Sequence, residues 1–263
     1  MRTLPIALTL AGSDSGGGAG VQADLKTFAA LGVHGTCAIT CLTAQNPKGV
    51  AAIQAATPAL VRAQIEAVFA ELRPAAVKTG MLFNTAIIRE VAGFFHTLRG
   101  PKPALIVDPV MVATSGARLL KPAALRALQS ELLPLATLVT PNLDEAEILV
   151  GAKLRSPDDL RAAARAIHAR FGCAALVKGG HLRGQRDAVD VFFDGKQELL
   201  LTAPFVRGVA THGTGCTYSA AIAAHCARGH DLAKSVRFAK KFITRAIADS
   251  YRIGPHSALN PLA

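Results

Sequence analysis

The stretch Thr211-His212-Gly213-Thr214-Gly215-Cys216-Thr217, followed by an alanine-rich run to residue 224, indicates how this chain is organised. Its two glycines allow the backbone to turn so that consecutive N–H groups point at one place. The helix that follows begins at the same place, with its unpaired donors and the positive end of its dipole. The stretch is therefore typical of an anion-binding turn, although a glycine turn that only starts a buried helix has the same pattern.

Cys216 lies at the predicted N-terminus of this helix, where the dipole favours a thiolate. We expect the helix to lower the pKa of the thiol by about one unit or more from its usual value near 8.5. A reactive group beside an anion site is what a phosphoryl-transfer enzyme needs. The alternative, that Cys216 is only a small apolar residue of a buried helix, fits the stretch equally well.

The composition is that of a globular protein with many buried segments, since 51% of the 263 residues are hydrophobic and 18% are charged. We interpret residues 1–263 as a single domain, because no linker-like or repeated segment divides them. No apolar run reaches the roughly 18 residues of a membrane-spanning helix, and the N-terminus carries no signal-peptide pattern. We therefore predict a cytoplasmic protein without a membrane partner.

The formal net charge of +11 raises the question of a nucleic-acid partner. The Lys and Arg residues are scattered, and with two Tyr and no Trp there is almost no aromatic interleaving. A small polyanionic substrate suits the charge as well, so we predict no nucleic-acid partner. The five cysteines are odd in number and include no Cys-x-x-Cys pair, which argues against a disulfide framework or a zinc site.

A second glycine-rich loop lies near the N-terminus, at residues 11–20, between a predicted strand and a predicted helix. Residues 18–23 satisfy the glycine pattern of a dinucleotide-binding loop, but no acidic residue ends a second strand about twenty residues later. No Gly-Lys-Ser/Thr follows the glycines, which excludes a P-loop. We interpret the segment as a loop that approaches a small ligand, with Asp14 and Asp24 either as polar contacts or as ordinary turn and helix residues.

Buried strands alternate with helices along the chain, which predicts a three-layer α/β/α fold with a mainly parallel central sheet. The strands are predicted at residues 6–10, 35–42, 49–55, 75–80, 104–109, 137–140 and 174–181. Residues 187–193 and 198–201, joined through Asp194-Gly195, predict an antiparallel hairpin at the edge of the sheet. The last helix is predicted at residues 232–251.

Polar side chains lie where several of these strands end, and the carboxyl ends of parallel strands form one crevice. Asp108 stops one apolar run and Lys178 ends another, so both are candidates for a ligand site. Asn142 and Glu145 are three positions apart at the start of a helix, close enough to converge on one metal ion or phosphate. The same spacing is that of an asparagine cap with a glutamate at the third helical position.

Taken together, these segments resemble the ribokinase-like superfamily and, within it, the hydroxymethylpyrimidine/phosphomethylpyrimidine kinases of thiamine biosynthesis. The resemblance covers about residues 10–251. The motifs that carry it are the loop at residues 11–20, Gln22-Ala23-Asp24, Thr43-Ala44-Gln45-Asn46, Lys78-Thr79-Gly80-Met81, Asp108-Pro109-Val110-Met111, Thr140-Pro141-Asn142, Val177-Lys178-Gly179-Gly180-His181 and Gly213-Thr214-Gly215-Cys216.

The resemblance implies an enzyme that uses ATP and Mg²⁺ to phosphorylate 4-amino-5-hydroxymethyl-2-methylpyrimidine and then its monophosphate, and it implies a homodimer. The implied contacts with the pyrimidine are Gly12, Ala19, Asp24, Gln45 and Met81. The implied ATP side consists of Asp108, Asn142, Lys178, Thr214 and Lys240, with Asp108 and Glu145 toward the metal. The implied catalytic residues are Gly213, Thr214, Gly215 and Cys216, which form an oxyanion hole, and Lys178.

Most ribokinase-like enzymes have Asp at the position of Cys216, whereas these pyrimidine kinases and some pyridoxal kinases have Cys there. Phosphoryl transfer passes through a loose transition state, so positioning and charge stabilisation do most of the work and a weak base is sufficient. A pyridoxal kinase of the same branch is an alternative, because pyridoxine is also a flat heteroaromatic ring with a hydroxymethyl group. A non-catalytic pyrimidine-binding regulator is disfavoured, since the phosphate-side residues are all present.

Overall fold

The computed structural model describes residues 3–111, 120–180, 182, 186–206 and 212–262. His181 and Thr211, which belong to two of the motifs, lie outside the described residues. In chain order the elements are β1 (Ile6–Asp14), α1 (Gly20–Ala30), β2 (His34–Asn46), β3 (Gly49–Ala55), α2 (Pro58–Glu71), β4 (Ala76–Thr79), α3 (Thr85–Thr97), β5 (Ala104–Val107), α4 (Pro122–Ala127) with a π turn (Leu128–Leu132) and a 3₁₀ turn (Leu133–Leu135), β6 (Leu138–Val139), α5 (Leu143–Val150), α6 (Pro157–Phe171), β7 (Ala174–Lys178), β8 (Asp187–Phe193), β9 (Glu198–Pro204), α7 (Thr214–Ala227), α8 (Leu232–Ala248), β10 (Tyr251–Ile253) and β11 (His256–Ala258).

The central sheet has the strand order β3-β2-β1-β4-β5-β6-β7-β8-β9 within the described ranges. The neighbours β2-β1, β1-β4, β4-β5, β5-β6 and β6-β7 are parallel. Strand β3 pairs antiparallel with β2, and β8 pairs antiparallel with β7 and β9. The predicted mainly parallel sheet with an antiparallel edge hairpin is confirmed. The sheet carries hairpins at both edges, because the turn after Asn46 folds β3 back onto β2.

Two hydrophobic clusters cover the two faces of the sheet, as a three-layer fold requires. In β5 the side chains of Leu105 and Val107 join one cluster and that of Ile106 joins the other, because successive side chains of a strand point to opposite faces. Helices α2 to α6 pack in the first cluster, and α1, α7 and α8 pack in the second. The alternation of buried strands and helices therefore predicted the layers correctly.

Local capping chemistry fixes where several helices begin and end. In α6, Ser156 accepts the N–H of Asp159, the Asp159 carboxylate accepts the N–H of Ser156, and Pro157 occupies the first turn. Gly172 ends the same helix in the left-handed conformation, with φ of 77°. These signals are local, which is why the sequence predicts this helix well.

The predicted end of the last helix is wrong. Helix α8 stops at Ala248, and Tyr251, which the apolar spacing placed in the helix, begins strand β10. Gly254 has φ of 57° and lies in the turn that joins β10 to β11. A three-residue strand is too short to produce a recognisable alternation, so the helical spacing before it was extended too far.

The carboxyl ends of the parallel strands lie at one edge of the sheet, and α7 begins beside them. Gly213 caps α7 in the left-handed conformation, with φ of 83°. A Cβ atom at this position would lie 1.9 Å from the carbonyl oxygen of Gly18 in the loop after β1. The backbone of the glycine loop therefore touches the backbone at the start of α7. None of the helices in the described ranges is both long enough and apolar enough to cross a membrane.

The contact between Gly213 and Gly18 predicts that Gly213→Ala will be much more damaging than an ordinary left-handed Gly→Ala change. Gly229 is the matched control, since its φ is 82° but a Cβ there has no atom within 4 Å. We expect Gly229→Ala to cost about 1–2 kcal/mol of unfolding free energy, from backbone strain alone. Gly213→Ala should cost clearly more. Urea unfolding of both variants tests this, and equal losses would show that the contact does not constrain the fold.

Candidate active site

An ion pair between Asp108 and Lys178 lies at the carboxyl ends of β5 and β7, with the Lys178 Nζ 3.2 Å from the Asp108 Oδ1. Thr140 and Ser219 donate to the same carboxylate at 3.4 and 3.3 Å. A Cβ on Gly215 would lie 3.3 Å from the Lys178 Nζ and 3.5 Å from the Asp108 Oδ2. The first turn of α7 therefore lies directly against this ion pair, and the structure brings together three residues that the sequence predicted for the site.

The ammonium of Lys178 keeps its charge although the side chain is largely buried. Burial lowers the pKa of Lys178, but the carboxylates of Asp108 and Glu145 outweigh this effect and raise it above its usual value. A fixed positive charge therefore lies next to the N-terminus of a 14-residue helix. This combination attracts the oxygens of a phosphate group.

Asn142 and Glu145 form the capping box that their spacing allows at the start of α5. The Asn142 Oδ1 accepts the Glu145 N–H at 2.9 Å, and the Glu145 Oε2 accepts the Asn142 N–H at 3.0 Å. The other carboxylate oxygen of Glu145 accepts the N–H of Met111 at 2.9 Å. Capping is thus realised in the structure, and binding of a metal by these residues stays a prediction.

The carboxyl of Glu145 is almost fully buried. Burial, and to a smaller extent the negative charge of Asp108, raise its pKa to about 7, although the charge of Lys178 opposes the rise. Two carboxylates that repel each other beside a phosphate-attracting turn provide oxygen ligands of the kind that Mg²⁺ prefers. No larger group of metal-binding side chains occurs among the described residues, where three or more His, Cys, Asp or Glu are nowhere clustered.

Asp24 lies in a second, fully buried ion pair. The Lys78 Nζ is 3.0 and 2.8 Å from its two carboxylate oxygens, and the Thr9 hydroxyl donates to it at 2.6 Å. Burial lowers the pKa of Lys78, but the charge and hydrogen bonds of Asp24 together with other nearby groups, including Asp108, more than offset this, and the ammonium remains charged. Both oxygens of Asp24 are thus engaged inside the protein, and the predicted contact of Asp24 with the pyrimidine stays a prediction.

The expected lowering of the Cys216 pKa is wrong. Burial raises the pKa of the thiol to about 11, and this effect outweighs the charge of Lys78 and a backbone hydrogen bond from Gly20, which both lower it. Removing a thiolate from water therefore costs more here than Lys78 and Gly20 return. Cys216 is therefore a neutral thiol at pH 7, at the point where the starts of α1 and α7 meet.

The glycine loop after β1 is wrapped around the carboxylate of Asp14. This carboxylate accepts the N–H groups of Gly16 at 2.8 Å, Gly18 at 3.1 Å and Ala19 at 2.8 Å. Asp14 therefore fixes the conformation of the loop, and both of its carboxylate oxygens already accept hydrogen bonds from the protein. Since the N–H of Ala19 is already used, Ala19 has only its side chain and carbonyl to offer to the predicted pyrimidine site.

Gly12 and Met81 face each other beside this loop. A Cβ on Gly12 would lie 2.7 Å from the Cys41 Sγ and 3.4 Å from the Met81 Cε. Met81 is held through its carbonyl oxygen, which accepts the hydroxyl of Thr40 at 2.6 Å. The two predicted pyrimidine contacts are therefore neighbours, with a polarisable thioether suited to a flat ring.

Gln45 lies at the end of β2 and contacts His212, a residue whose role the sequence did not predict. The Gln45 Nε2 is 3.3 Å from the His212 Nε2, which is 3.4 Å from the Asp14 Oδ2. At the other end of the amide, the Gln45 Oε1 accepts the hydroxyl of Thr43 at 3.2 Å. The only sequence signal for His212 was its place immediately before Gly213 in the anion-binding stretch.

Lys240 lies apart from the Asp108–Lys178 pair. Its Nζ is 2.7 Å from the Asp190 Oδ2 and 3.3 Å from the carbonyl oxygen of Ala188. The other oxygen of Asp190 accepts the N–H of Gly179, the residue after Lys178. Lys240 thus supports the backbone that follows Lys178, and its role toward ATP stays a prediction.

The family model described as Phosphomethylpyrimidine kinase matches residues 14–261. The chain belongs to this family. A hydroxymethylpyrimidine/phosphomethylpyrimidine kinase from Synechococcus elongatus is 49% identical over 95% of this chain and 94% of its own length. The resemblance predicted from the motifs is therefore confirmed.

Two solved structures show the same fold. The phosphomethylpyrimidine kinase of Clostridium difficile is 41% identical, with a TM-score of 0.82 over 93% of this chain and 100% of its own. The pyridoxal kinase of Bacillus subtilis, solved as an ADP complex, is 36% identical, with a TM-score of 0.88 over 99% of both chains. The ribokinase-like fold is confirmed, and proteins similar to this chain include kinases for two different rings.

Proposed function

We propose that this protein uses ATP to phosphorylate 4-amino-5-hydroxymethyl-2-methylpyrimidine and then its monophosphate, giving the diphosphate used in thiamine biosynthesis. The observation that carries the proposal is the packing of the first turn of α7 against the Asp108–Lys178 pair on one side and against the glycine loop on the other. The side with the Asp108–Lys178 pair suits phosphate groups. The side with the glycine loop lies near Gln45 and Met81. Membership of the phosphomethylpyrimidine kinase family supports the same reaction.

The part of the site formed by Lys178, Asp108 and the start of α7 would stabilise the negative charge of a phosphate with groups that are already in position. Lys178 is held by Asp108, and the backbone at Gly213, Thr214 and Gly215 begins a helix whose positive end faces the same region. Phosphoryl transfer requires positioning and charge stabilisation more than covalent chemistry. We infer that these groups hold the transferred phosphoryl group. We propose that Asn142, Thr214 and Lys240 also contact ATP. We place the enzyme in the cytoplasm, where ATP is available.

We assign Mg²⁺ to Asp108 and Glu145, because their carboxylates repel each other and supply the hard oxygen ligands that this ion prefers. Mg²⁺ commonly binds through one or two carboxylates together with substrate phosphates, so two such side chains are sufficient. When bound, the ion would neutralise charge on the ATP phosphates. Lys178 and the start of α7 then have the separate task of orienting the phosphoryl group that is transferred.

We assign the pyrimidine to Gln45, Met81, Gly12, Ala19 and Asp24. An amide such as that of Gln45 donates and accepts at once, which suits an exocyclic amine next to a ring nitrogen. Gly12 lies directly beside the Met81 side chain, and we expect the ring to lie flat against this thioether. A pyridoxal kinase is the second candidate, because the fold matches the pyridoxal kinase of Bacillus subtilis over nearly the whole chain.

A coupled assay of ATP consumption tests the function with the pyrimidine, its monophosphate and pyridoxal as alternative substrates. We expect the two pyrimidines to give the higher kcat/KM, because the amide of Gln45 matches an aminopyrimidine. Turnover should stop when the metal is chelated and should return with Mg²⁺. Equal or higher efficiency with pyridoxal would assign the protein to the second candidate, and turnover that survives chelation would remove the metal assignment.

The high pKa of Cys216 predicts that the thiol shapes the oxyanion hole and does not remove a proton. The first substrate is a neutral alcohol that must lose its proton, whereas the second presents a phosphate oxygen that is already charged. We therefore expect Cys216→Ala to slow both phosphorylations by similar factors, and Cys216→Asp to leave the pH profile unshifted. A general base contributes typically 10²–10⁴-fold. Loss of that size in the first step alone, measured with purified substrates, would make Cys216 a base.

We propose a homodimer in which the edge strand β3 lies in the contact between the two copies. Every residue from Gly49 to Gln54 is exposed, and the apolar side chains of Val50 and Ile53 are 47% and 38% exposed. An exposed apolar edge strand is either covered by a partner or a site of aggregation. Sedimentation velocity should give the mass of two chains for the wild type and of one chain for Ile53→Lys, whereas a monomeric wild type would contradict the proposal.

A further inference from the structure

Asp190 is a buried carboxylate that lies directly opposite Lys178 in the sheet. It is 3% exposed, and the pairing of β7 with β8 makes it the partner of Lys178. Paired residues of neighbouring antiparallel strands carry their side chains on the same face. Leu176 and Phe192, the next pair on this face, belong to the hydrophobic cluster under α7 and α8. Asp190 and Lys178 therefore both lie on the face of the sheet that α7 and α8 cover.

Each oxygen of the Asp190 carboxylate holds a group next to, or belonging to, the proposed ATP side of the site. The Oδ1 accepts the N–H of Gly179, the residue directly after Lys178, at 3.1 Å. The Oδ2 accepts a hydrogen bond from the ammonium of Lys240 at 2.7 Å. A backbone N–H and an ammonium only donate, so both contacts have an unambiguous direction. One carboxylate thus connects the backbone beside Lys178 with the ammonium of Lys240.

The ammonium of Lys240 retains a donor for a ligand. Among the described residues its partners are Asp190 and the carbonyl oxygen of Ala188, the latter at 3.3 Å. An ammonium has three N–H donors, and tetrahedral geometry fixes the third direction once two are bound. Asp190 and Ala188 therefore set the direction in which Lys240 can offer its remaining N–H to a phosphate oxygen.

Helix α7 lies close to the same carboxylate. Burial, and to a smaller extent the charge of Asp190, raise the pKa of the Tyr218 hydroxyl well above its usual value. Tyr218 lies one turn after the N-terminus of α7, the helix whose start we assign to the transferred phosphoryl group. Asp190 therefore lies where β7, β8, α7 and α8 meet.

A negative charge near a phosphate site repels ATP, so its presence has to be explained by the groups that it holds. We propose that Asp190 is a positioning residue for the ATP side, which holds the backbone after Lys178 with one oxygen and the ammonium of Lys240 with the other. The two cations then approach the phosphates from fixed directions. This inference rests on the proposed function, in particular on contact of Lys178 and Lys240 with ATP.

Calorimetric titration of ADP with Mg²⁺ into the ligand-free protein tests the inference in wild type, Asp190→Asn, Lys240→Met and the variant with both changes. Asparagine keeps an oxygen for the Gly179 N–H but cannot also hold the ammonium, because its amide nitrogen only donates. We expect the Kd of ADP to rise about tenfold in each single variant, and to rise no further when both changes are combined.

The direction of the change separates positioning from a simple charge effect. If Asp190 acted only through its negative charge, Asp190→Asn would bind ADP more tightly, and this result or an unchanged Kd would overturn the inference. Losses that add in the double variant would also overturn it, because the two residues would then act independently. Asp187→Asn is the matched control, with the same change on the same strand at a half-buried position, and it should keep the wild-type Kd.

The second contact of Asp190 is tested without an unpaired buried charge. Asp190→Asn leaves the ammonium of Lys240 without its carboxylate, which destabilises the fold, whereas the change Lys240→Met combined with Asp190→Asn or Asp190→Ala removes both charges. Of these two double variants, only the one with asparagine still accepts from Gly179. We therefore expect it to have the higher kcat, by about tenfold, with urea unfolding as the check on stability.

Equal kcat values for the two double variants would refute the role through Gly179 and with it the inference as stated. Failure of the proposed function is recognised separately, because it would show as a wild-type protein that does not bind ADP. Wild-type binding together with an unaffected Asp190→Asn variant refutes only the role of Asp190.

Discussion

The direct contact of backbone with backbone between the glycine loop and the start of α7 is the constraint on which the site depends. No side chain separates Gly213 from Gly18, and none would fit. The loop in turn has a fixed shape, because three of its N–H groups bind the carboxylate of Asp14. The end of the site that attracts phosphate and the end that carries Gln45 are therefore parts of one rigid unit, at a separation set by the backbone.

Two buried or nearly buried ion pairs lie beside this unit. Lys78 with Asp24 and Lys178 with Asp108 each bring a positive charge toward the start of α7 together with a carboxylate that balances it. Such pairs contribute little net stability when intact, but leave an uncompensated buried charge when one partner is lost. Their effect is thus to fix geometry and charge. The neutral state of the Cys216 thiol is consistent with this arrangement, because a thiolate would add a third negative charge near the carboxylates of Asp24 and Asp108.

The sequence predicted those features that depend on local chemistry or on simple periodicity. Buried strands alternating with helices gave the three layers, and capping residues such as Ser156 and Gly172 marked helix ends. The meeting of Asp108 with Lys178 followed from the rule that parallel strands end at one edge. The hairpin after α8 was missed because its strands have three residues each.

Features that depend on long-range packing could not be read from the sequence. The pKa of Cys216 shifts opposite to its expected direction because tertiary packing buries the thiol, and this burial outweighs the effects of Lys78 and Gly20, which lower the pKa. The spacing of Asn142 and Glu145 was compatible with either a capping box or a ligand site, and only the folded structure shows that both bonds of the capping box form. His212 was visible in the motif, but its partners Gln45 and Asp14 are far away in the chain, so no spacing rule connects them.

That distance along the chain has a consequence for how the enzyme is made. His212 and Asp14 are separated by 198 positions, and the same is nearly true of Gly213 and the loop it touches. During synthesis the first strands and the glycine loop leave the ribosome long before α7 exists, and domains assemble from such early segments. The turn at the start of α7 is thus synthesised after the other groups proposed for the site, with the exception of Lys240. A nascent or truncated chain that lacks α7 holds all strands of the central sheet and the glycine loop, yet lacks the turn that we propose holds the transferred phosphoryl group.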